Sequence, residues 1–251
     1  MADKVLERLH HIRIVLSRPR DSKNVGAVCR AMKNMGLTRL YIAGFPGLDR
    51  GKAAVLALHA SDVLENAVET GDLQEAVKEC SFIAGLTRRW GKNRKYLYID
   101  PPELGDRLLQ FEGRETALVF GNEISGLSDE EIKQCHIAVT IPSSPEFPSL
   151  NLSHAVQIVA YEAYQAFRED EGRRFYTPIV GEKLDSLVGH ISDSLSSLGF
   201  FKLVTPEEME RFFRDIFARA SLSGREAARI KAIFSKIAGI GGKRTKGHMP
   251  E

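Results

Sequence analysis

Over its first 167 residues the chain alternates short, β-branched apolar runs with amphipathic stretches, and that rhythm limits the fold more than any other feature. Residues 12–16, 40–43, 82–86, 117–120 and 138–141 are runs of this kind, too short for typical helices, and they read as buried strands. Residues 25–35 place Val25, Val28, Cys29, Met32 and Met35 on one helical face, with Gly36 where a glycine just past a helix end belongs. Further helices are expected near 51–58, 73–79, 102–109 and 128–134. A long one over 152–167 is apolar through Leu152, Val156, Val159, Ala160, Ala163 and Phe167, with Asn151 as its N-cap. Strands alternating with helices require a mostly parallel sheet covered on both faces, an α/β domain over residues 1–167.

The rhythm stops after Phe167. Residues 168–183 are polar and charged around Pro178 and read as a linker. Residues 184–198, 206–220 and 224–237 read as helices of a small all-helical domain spanning 184–238. Pro206 with Glu207, Glu208 and Glu210 suits a first turn, where no N–H is missed and the helix dipole favours negative charge. The Gly- and Lys/Arg-rich segment 239–251 reads as a flexible tail.

A net charge of +2 says little about partners, but its distribution says more: residues 171–251 hold 14 Lys+Arg against 10 Asp+Glu, residues 1–170 hold 21 against 23. A basic appendage on a slightly acidic body suits a polyanion, although a solvated helical face has the same composition. No apolar run approaches the roughly 20 residues that cross a bilayer, and the N-terminus lacks the apolar core of a signal peptide. A soluble, cytoplasmic chain without membrane association is expected. Cys29, Cys80 and Cys135 stand far apart and form no CxxC pair, so neither a disulfide framework nor a metal site is expected.

Open parallel sheets bind ligands beyond the carboxyl ends of their strands. The loops 17–26, 86–95, 121–128 and 142–151 occupy those positions and are polar or Gly-rich. Gly121 and Gly126 have the wrong spacing for GxGxxG, and GxxxxGK[ST] is absent, which argues against a dinucleotide fold and a P-loop.

Three motifs in order carry a resemblance. Asn24-Val-Gly-Ala-Val-Cys-Arg30 follows the first strand. Gly121-Asn122-Glu123 with Gly126-Leu127 follows a later one, and Ile141-Pro142 with Ser149-Leu150-Asn151-Leu152-Ser153 leads into the last helix of the domain. They resemble the signature motifs of the SPOUT-class (α/β-knot) RNA 2′-O-ribose methyltransferases of the TrmH superfamily, over residues 11–167. The helical extension, with Phe212-Phe213-Arg214-Asp215-Ile216-Phe217, is similar to that of the TrmJ group, tRNA (cytidine/uridine-2′-O-)-methyltransferases acting at anticodon-loop position 32, and by that resemblance residues 184–238 are expected to bind tRNA.

The resemblance implies a deep trefoil knot and a homodimer in which the first and last helices of the catalytic domain meet the partner. It implies S-adenosylmethionine as methyl donor, without a metal, held by Leu86, Thr87, Arg88, Gly121, Ile141, Pro148, Ser149 and Leu150. It implies a catalytic group of Arg30, Asn24, Glu123, Ser149 and Asn151, in which Arg30 serves the partner's donor site. An arginine is a poor base, so Arg30 is expected to bind a phosphate or the hydroxyl and stabilise developing charge; its bland alternative is a surface helix arginine. Glu123 fixes a loop or touches substrate, and Asn151 caps a helix or joins the chemistry. The loop holding Arg88, Arg89, Trp90, Arg94 and Lys95 pairs cations for phosphates with a ring that stacks a base, against the alternative of a solvated loop. Two rival functions stay open: a ribosomal RNA methyltransferase of the same fold, and a catalytically silent RNA-binding protein.

Overall fold

The computed structural model describes residues 2–89, 98–169, 178–179, 181–201 and 204–245. The chain divides into two units, Met1–Phe175 and Tyr176–Glu251.

The first unit opens with α1 (Ala2–Leu9) and proceeds β1 (Ile12–Ser17), α2 (Ser22–Asn34), β2 (Arg39–Ala43), α3 (Arg50–Ala57). A 3-10 turn (Leu58–Ala60) leads to α4 (Ser61–Glu65), β3 (Val68–Thr70), α5 (Leu73–Val77) and β4 (Phe82–Leu86). Then come β5 (Tyr98–Ile99), α6 (Pro101–Gln110), β6 (Thr116–Phe120), α7 (Asp129–Gln134), β7 (Ile137–Val139) and α8 (Leu152–Glu169). Every β1, β4 and β6 residue is buried, as a strand with helices on both faces must be.

The strands form one parallel seven-stranded sheet in the order β3-β2-β1-β6-β4-β7-β5. β6 is central, and its neighbour β1 sets Leu16 opposite Ile42 on one side and Phe120 on the other. The α/β reading and the parallel sheet hold. Expected strands appear at β1, β2, β4, β6 and β7, although β7 ends at Val139 rather than at 141. The sequence pattern does not anticipate α1, α4 or the edge strands β3 and β5, which are too short for periodicity to register. Gly36 takes the left-handed conformation (φ 72°) just past α2, as its position requires.

The second unit holds α9 (Gly181–Ser197), α10 (Pro206–Ala220) and α11 (Gly224–Thr245). Leu184, Leu187, Val188 and Ile191 of α9 pack with Phe217 and Leu222, joined by Phe213, Ile230 and Phe234. Thr205 and Glu208 close a capping box ahead of Pro206, which fixes the start of α10. α11 runs on to Thr245, into the segment read from its composition as a tail. The apolar spacing of Ile230, Ile233, Ile237 and Ile240 continues the helical period through the glycines.

Candidate functional site

Because β6, β4 and β7 are neighbours, the loops leaving Phe120, Leu86 and Val139 open onto one place. They line a solvent-open cleft of about 830 Å³, the space at its mouth included. All eight residues expected around a donor, Leu86, Thr87, Arg88, Gly121, Ile141, Pro148, Ser149 and Leu150, are among its walls, with Phe120, Val139 and Leu152.

Each loop is fixed by its own polar contacts. Thr87 N donates to Val139 O at 2.9 Å, and Thr140 Oγ1 to Thr87 O at 2.7 Å, tying the ends of β4 and β7. Arg89 N donates to Thr87 Oγ1 at 3.1 Å, so the exposed Arg88 and Arg89 leave a fixed base. In the next loop Asn122 Oδ1 accepts from Ile124 N (3.0 Å), Ser125 N (2.7 Å) and Ser125 Oγ (3.0 Å). The loop folds back so closely that a Cβ on Gly121 would lie 2.1 Å from Gly126 C and 2.2 Å from Leu127 N. In the third, Ser143 Oγ donates to Pro148 O at 3.1 Å, and Ser149 and Leu150 follow at the exposed rim.

At the edge of the cleft the catalytic candidates Asn24, Glu123 and Asn151 form a chain. Asn24 Nδ2 donates to Glu123 Oε1 at 2.8 Å, and Arg20 N to Glu123 Oε2 at 3.0 Å. Asn151 Nδ2 donates to Asn24 Oδ1 at 3.3 Å, while Asn151 Oδ1 accepts from Ser153 N (2.9 Å) and Ser153 Oγ (2.8 Å). Asn151 therefore caps α8, the structural alternative read from sequence, and its amide also holds Asn24. Glu123, with a donor on each oxygen, orients both the loop before α2 and the Asn24 amide.

Arg30 stands apart. It is exposed on α2, its side chain makes no hydrogen bond or ion pair with a described residue, and it does not line the cleft. Six residues along a helix is about 9 Å of axial rise, so Arg30 sits well away from Asn24 on the same element. Trp90, Arg94 and Lys95 lie outside the described residues.

One positioning group escaped the sequence reading. Glu131 of α7, 7 % exposed, accepts from the Ser17 hydroxyl and from Arg18 Nε (2.9 Å) and Nη2 (2.5 Å). It also takes Ser128 N at 2.6 Å within a capping box. Burial pushes the Glu131 carboxyl up, but Arg18, Ser17 and Ser128 together hold it below the ordinary carboxylate value. Arg18 is in the left-handed region (φ 51°), where a non-glycine residue persists only if its surroundings fix it. The clamp joins the end of β1 to the segment leaving the Gly121 loop, so the Asn24–Glu123 pair is held from both sides. Nothing in the local sequence announces a partner 113 residues away.

Among the described residues no group of His, Cys, Asp or Glu is arranged to hold a metal ion, and no helix is long and apolar enough to cross a membrane.

Residues 11–161 match the SpoU rRNA Methylase family. The tRNA (cytidine/uridine-2′-O-)-methyltransferase TrmJ of Yersinia enterocolitica serotype O:8 / biotype 1B is 36% identical over 239 residues, 91% of this chain and 92% of its own length. A solved "probable methylase family protein" from Haemophilus influenzae Rd KW20 aligns at a TM-score of 0.68 with 30% identity, covering 95% of this chain and 98% of that one. The crystal structure of TrmJ from Z. mobilis ZM4 aligns at 0.62 with 28% identity, covering 90% and 98%.

Proposed function

Because this chain belongs to the SpoU rRNA methylase family, we propose that it transfers the methyl group of S-adenosylmethionine to a ribose 2′-hydroxyl of tRNA, at the pyrimidine in anticodon-loop position 32. The observation that carries this reading is the Asn24–Glu123–Asn151 chain at the edge of a cleft walled by the loops after β4, β6 and β7. A tRNA rather than a ribosomal RNA is favoured because likeness to a tRNA enzyme covers 91% of the chain, well past the family match at residue 161.

The cleft suits the donor chemically. Leu86, Val139, Ile141 and Leu150 offer apolar walls for adenine and methionine, and Gly121 lets main chain approach closely. The donor brings a methyl group made electrophilic by a sulfonium. The protein must hold the hydroxyl oxygen in line, and such positioning is worth roughly 7–11 kcal/mol of barrier. In this reading Asn24 and Asn151 orient the ribose; the contacts that fix their amides, to Glu123 and Ser153, support it.

Arg30 is read as serving the cleft of a second copy in a homodimer. The inner residues of α2, Val25, Val28, Cys29 and Met32, are spent on the chain's own core. The outer faces stay available to a partner: Lys23 and Arg30 on α2, His154 and Tyr161 on α8. A guanidinium stays charged at any working pH, so Arg30 stabilises negative charge growing on the oxygen rather than taking the proton. The same reading includes a trefoil knot in the chain between β6 and α8, and the cytoplasm as the place of work.

The test is mass mapping of 2′-O-methyl nucleotides in tRNA incubated with protein and donor. One 2′-O-methylated pyrimidine at position 32 is expected. Methyl groups only on bases, or only in ribosomal RNA, would overturn the proposal; absence of donor binding by calorimetry would favour a silent RNA-binding protein.

A further inference from the structure

Two apolar side chains stand in water at the mouth of the cleft. Phe147 is 80 % exposed and Ile124 is 74 %, the highest values among the described large hydrophobic residues. Each belongs to a loop that walls the cleft. Ile124 lines it after β6, and Phe147 directly precedes the lining residues Pro148, Ser149 and Leu150 after β7. Single exposed apolar residues are common on any protein surface. Here the two extreme cases come from separate loops and flank one site.

Neither loop is slack. Ile124 N and Ser125 N both donate to Asn122 Oδ1, which puts Ile124 at the tip of a closed turn. Ser143 Oγ donates to Pro148 O at 3.1 Å and Glu146 N to Ser144 Oγ at 3.3 Å, closing a second turn that carries Phe147. Pro148 also restricts the backbone of Phe147 to extended conformations. The ring therefore leaves a fixed base, yet it stacks on nothing. Phe82 lies against Phe111 with centroids 4.7 Å apart, and Phe167 takes Arg8 and His11, whereas Phe147 meets no ring or guanidinium among the described residues. A ring held from behind and open to water suits a flat ligand.

The surroundings narrow that ligand. Arg20, Arg88 and Arg89 are exposed at the same mouth, Arg20 held by its N–H on Glu123 and the other two as lining residues. An aromatic ring among cations fits a nucleotide, which offers a flat base and a phosphate together. Phe147 also lies four residues ahead of Asn151 on one loop. The base hangs from the ribose carbon next to the one that bears the 2′-hydroxyl, so a held base limits how the hydroxyl can approach the methyl group. A second copy laid over the ring would instead cover the mouth of the cleft.

We propose that Phe147 is the platform on which the pyrimidine of the target nucleotide stacks, with Ile124 as a second apolar contact from the loop after β6. This rests on the tRNA reading above and gives the base a place that the donor and ribose contacts do not.

The test uses the full chain and tRNA carrying 5-iodouridine at position 32, which on irradiation cross-links to an aromatic side chain stacked on it. The cross-linked peptide should contain Phe147, and F147A should lose the link. With unmodified tRNA, F147A should lower kcat/KM roughly 5- to 150-fold, the span of one base–aromatic stack. F147Y should keep the parent value, and F147L should recover less than F147Y, because it restores apolar bulk without a ring face. Donor affinity by calorimetry should not change in any of the three. A cross-link that maps elsewhere in the parent chain, or F147L equal to F147Y, would overturn the platform. So would a fall in donor affinity as large as the fall in kcat/KM, since Phe147 would then serve the donor loop alone. If F147A alters sedimentation and leaves kcat/KM unchanged, the ring is a contact between copies and the proposal falls. A parent chain that forms the Phe147 cross-link yet methylates no 2′-hydroxyl would keep the platform and fault the enzymatic reading instead.

Discussion

A methyl group on Gly121 has no room, since it would overlap the main chain of Gly126 and Leu127 in the turn that walls the cleft. Gly121→Ala is therefore expected to remove measurable donor binding and to cost about 1–3 kcal/mol of stability through overpacking; near-native donor affinity by calorimetry would show that the turn does not shape the site. Glu131 makes a different prediction. Its folded value is depressed, so its contribution is fully present above the ordinary value near 4.5 and is lost as pH falls through the lower folded value. Glu131→Gln should cost about 1–3 kcal/mol at neutral pH, allowing for a half-exposed Arg18. In urea unfolding its deficit should shrink as pH drops below about 4.5; a deficit that does not change with pH would rule out the ion pair as its source. The two residues also differ in legibility. Gly121 sits in a recognisable motif, whereas Glu131 acts on Ser17 and Arg18 through contacts that exist only once β1 and α7 are brought together.

Among the elements, caps were easier to read than edges. Asn151 ahead of an apolar helix, and Pro206 with Glu207 and Glu208, announce their helices through local hydrogen bonding and charge, which need no tertiary context, whereas the Thr205 cap emerged only from the structure. β5, with two residues, and β3, with three, exist because β7 and β2 offer free edges, a cause no local window contains. The double use of Asn151 can be separated by substitution. Asn151→Asp keeps an acceptor for Ser153 N but loses the amide that donates to Asn24, while Asn151→Ala loses both. Asn151→Ala should cost about 1 kcal/mol and most of the turnover. Asn151→Asp should keep the stability and still lose turnover, with donor affinity unchanged. Full turnover in Asn151→Asp, by single-turnover methylation and thermal unfolding on the same samples, would reduce Asn151 to a cap.

At the level of the whole molecule, the meeting of the motifs was expected from the resemblance and from the rule for parallel sheets, whereas the strand order that brings it about could not be read from the chain. The sheet runs β1-β6-β4-β7, out of sequence order, and this brings the loops after β4, β6 and β7 together and sets the start of α2 beside Glu123. What composition did reveal was the charge imbalance between residues 1–170 and 171–251, and the division into units at Phe175 gives that imbalance a physical boundary. The first unit contains the whole sheet and every residue of the cleft. Its last helix is secured at its end, with Phe167 buried and its carbonyl accepting from Arg8 Nη1 at 2.9 Å. A chain ending at Phe175 should therefore fold, with circular dichroism of an α/β protein, and bind donor within a few-fold of the full chain. Its tRNA affinity should fall and its salt slope flatten, since the α11 cations go with the second unit. Neutralising Arg88 and Arg89 in the full chain should weaken tRNA binding less, but should lower turnover even at saturating tRNA, because those cations border the cleft. If the shortened chain folds and binds donor yet keeps the full affinity and slope for tRNA, capture belongs to the first unit. The helical unit would then have to serve assembly, which sedimentation of the two chains would show as a change in oligomeric state.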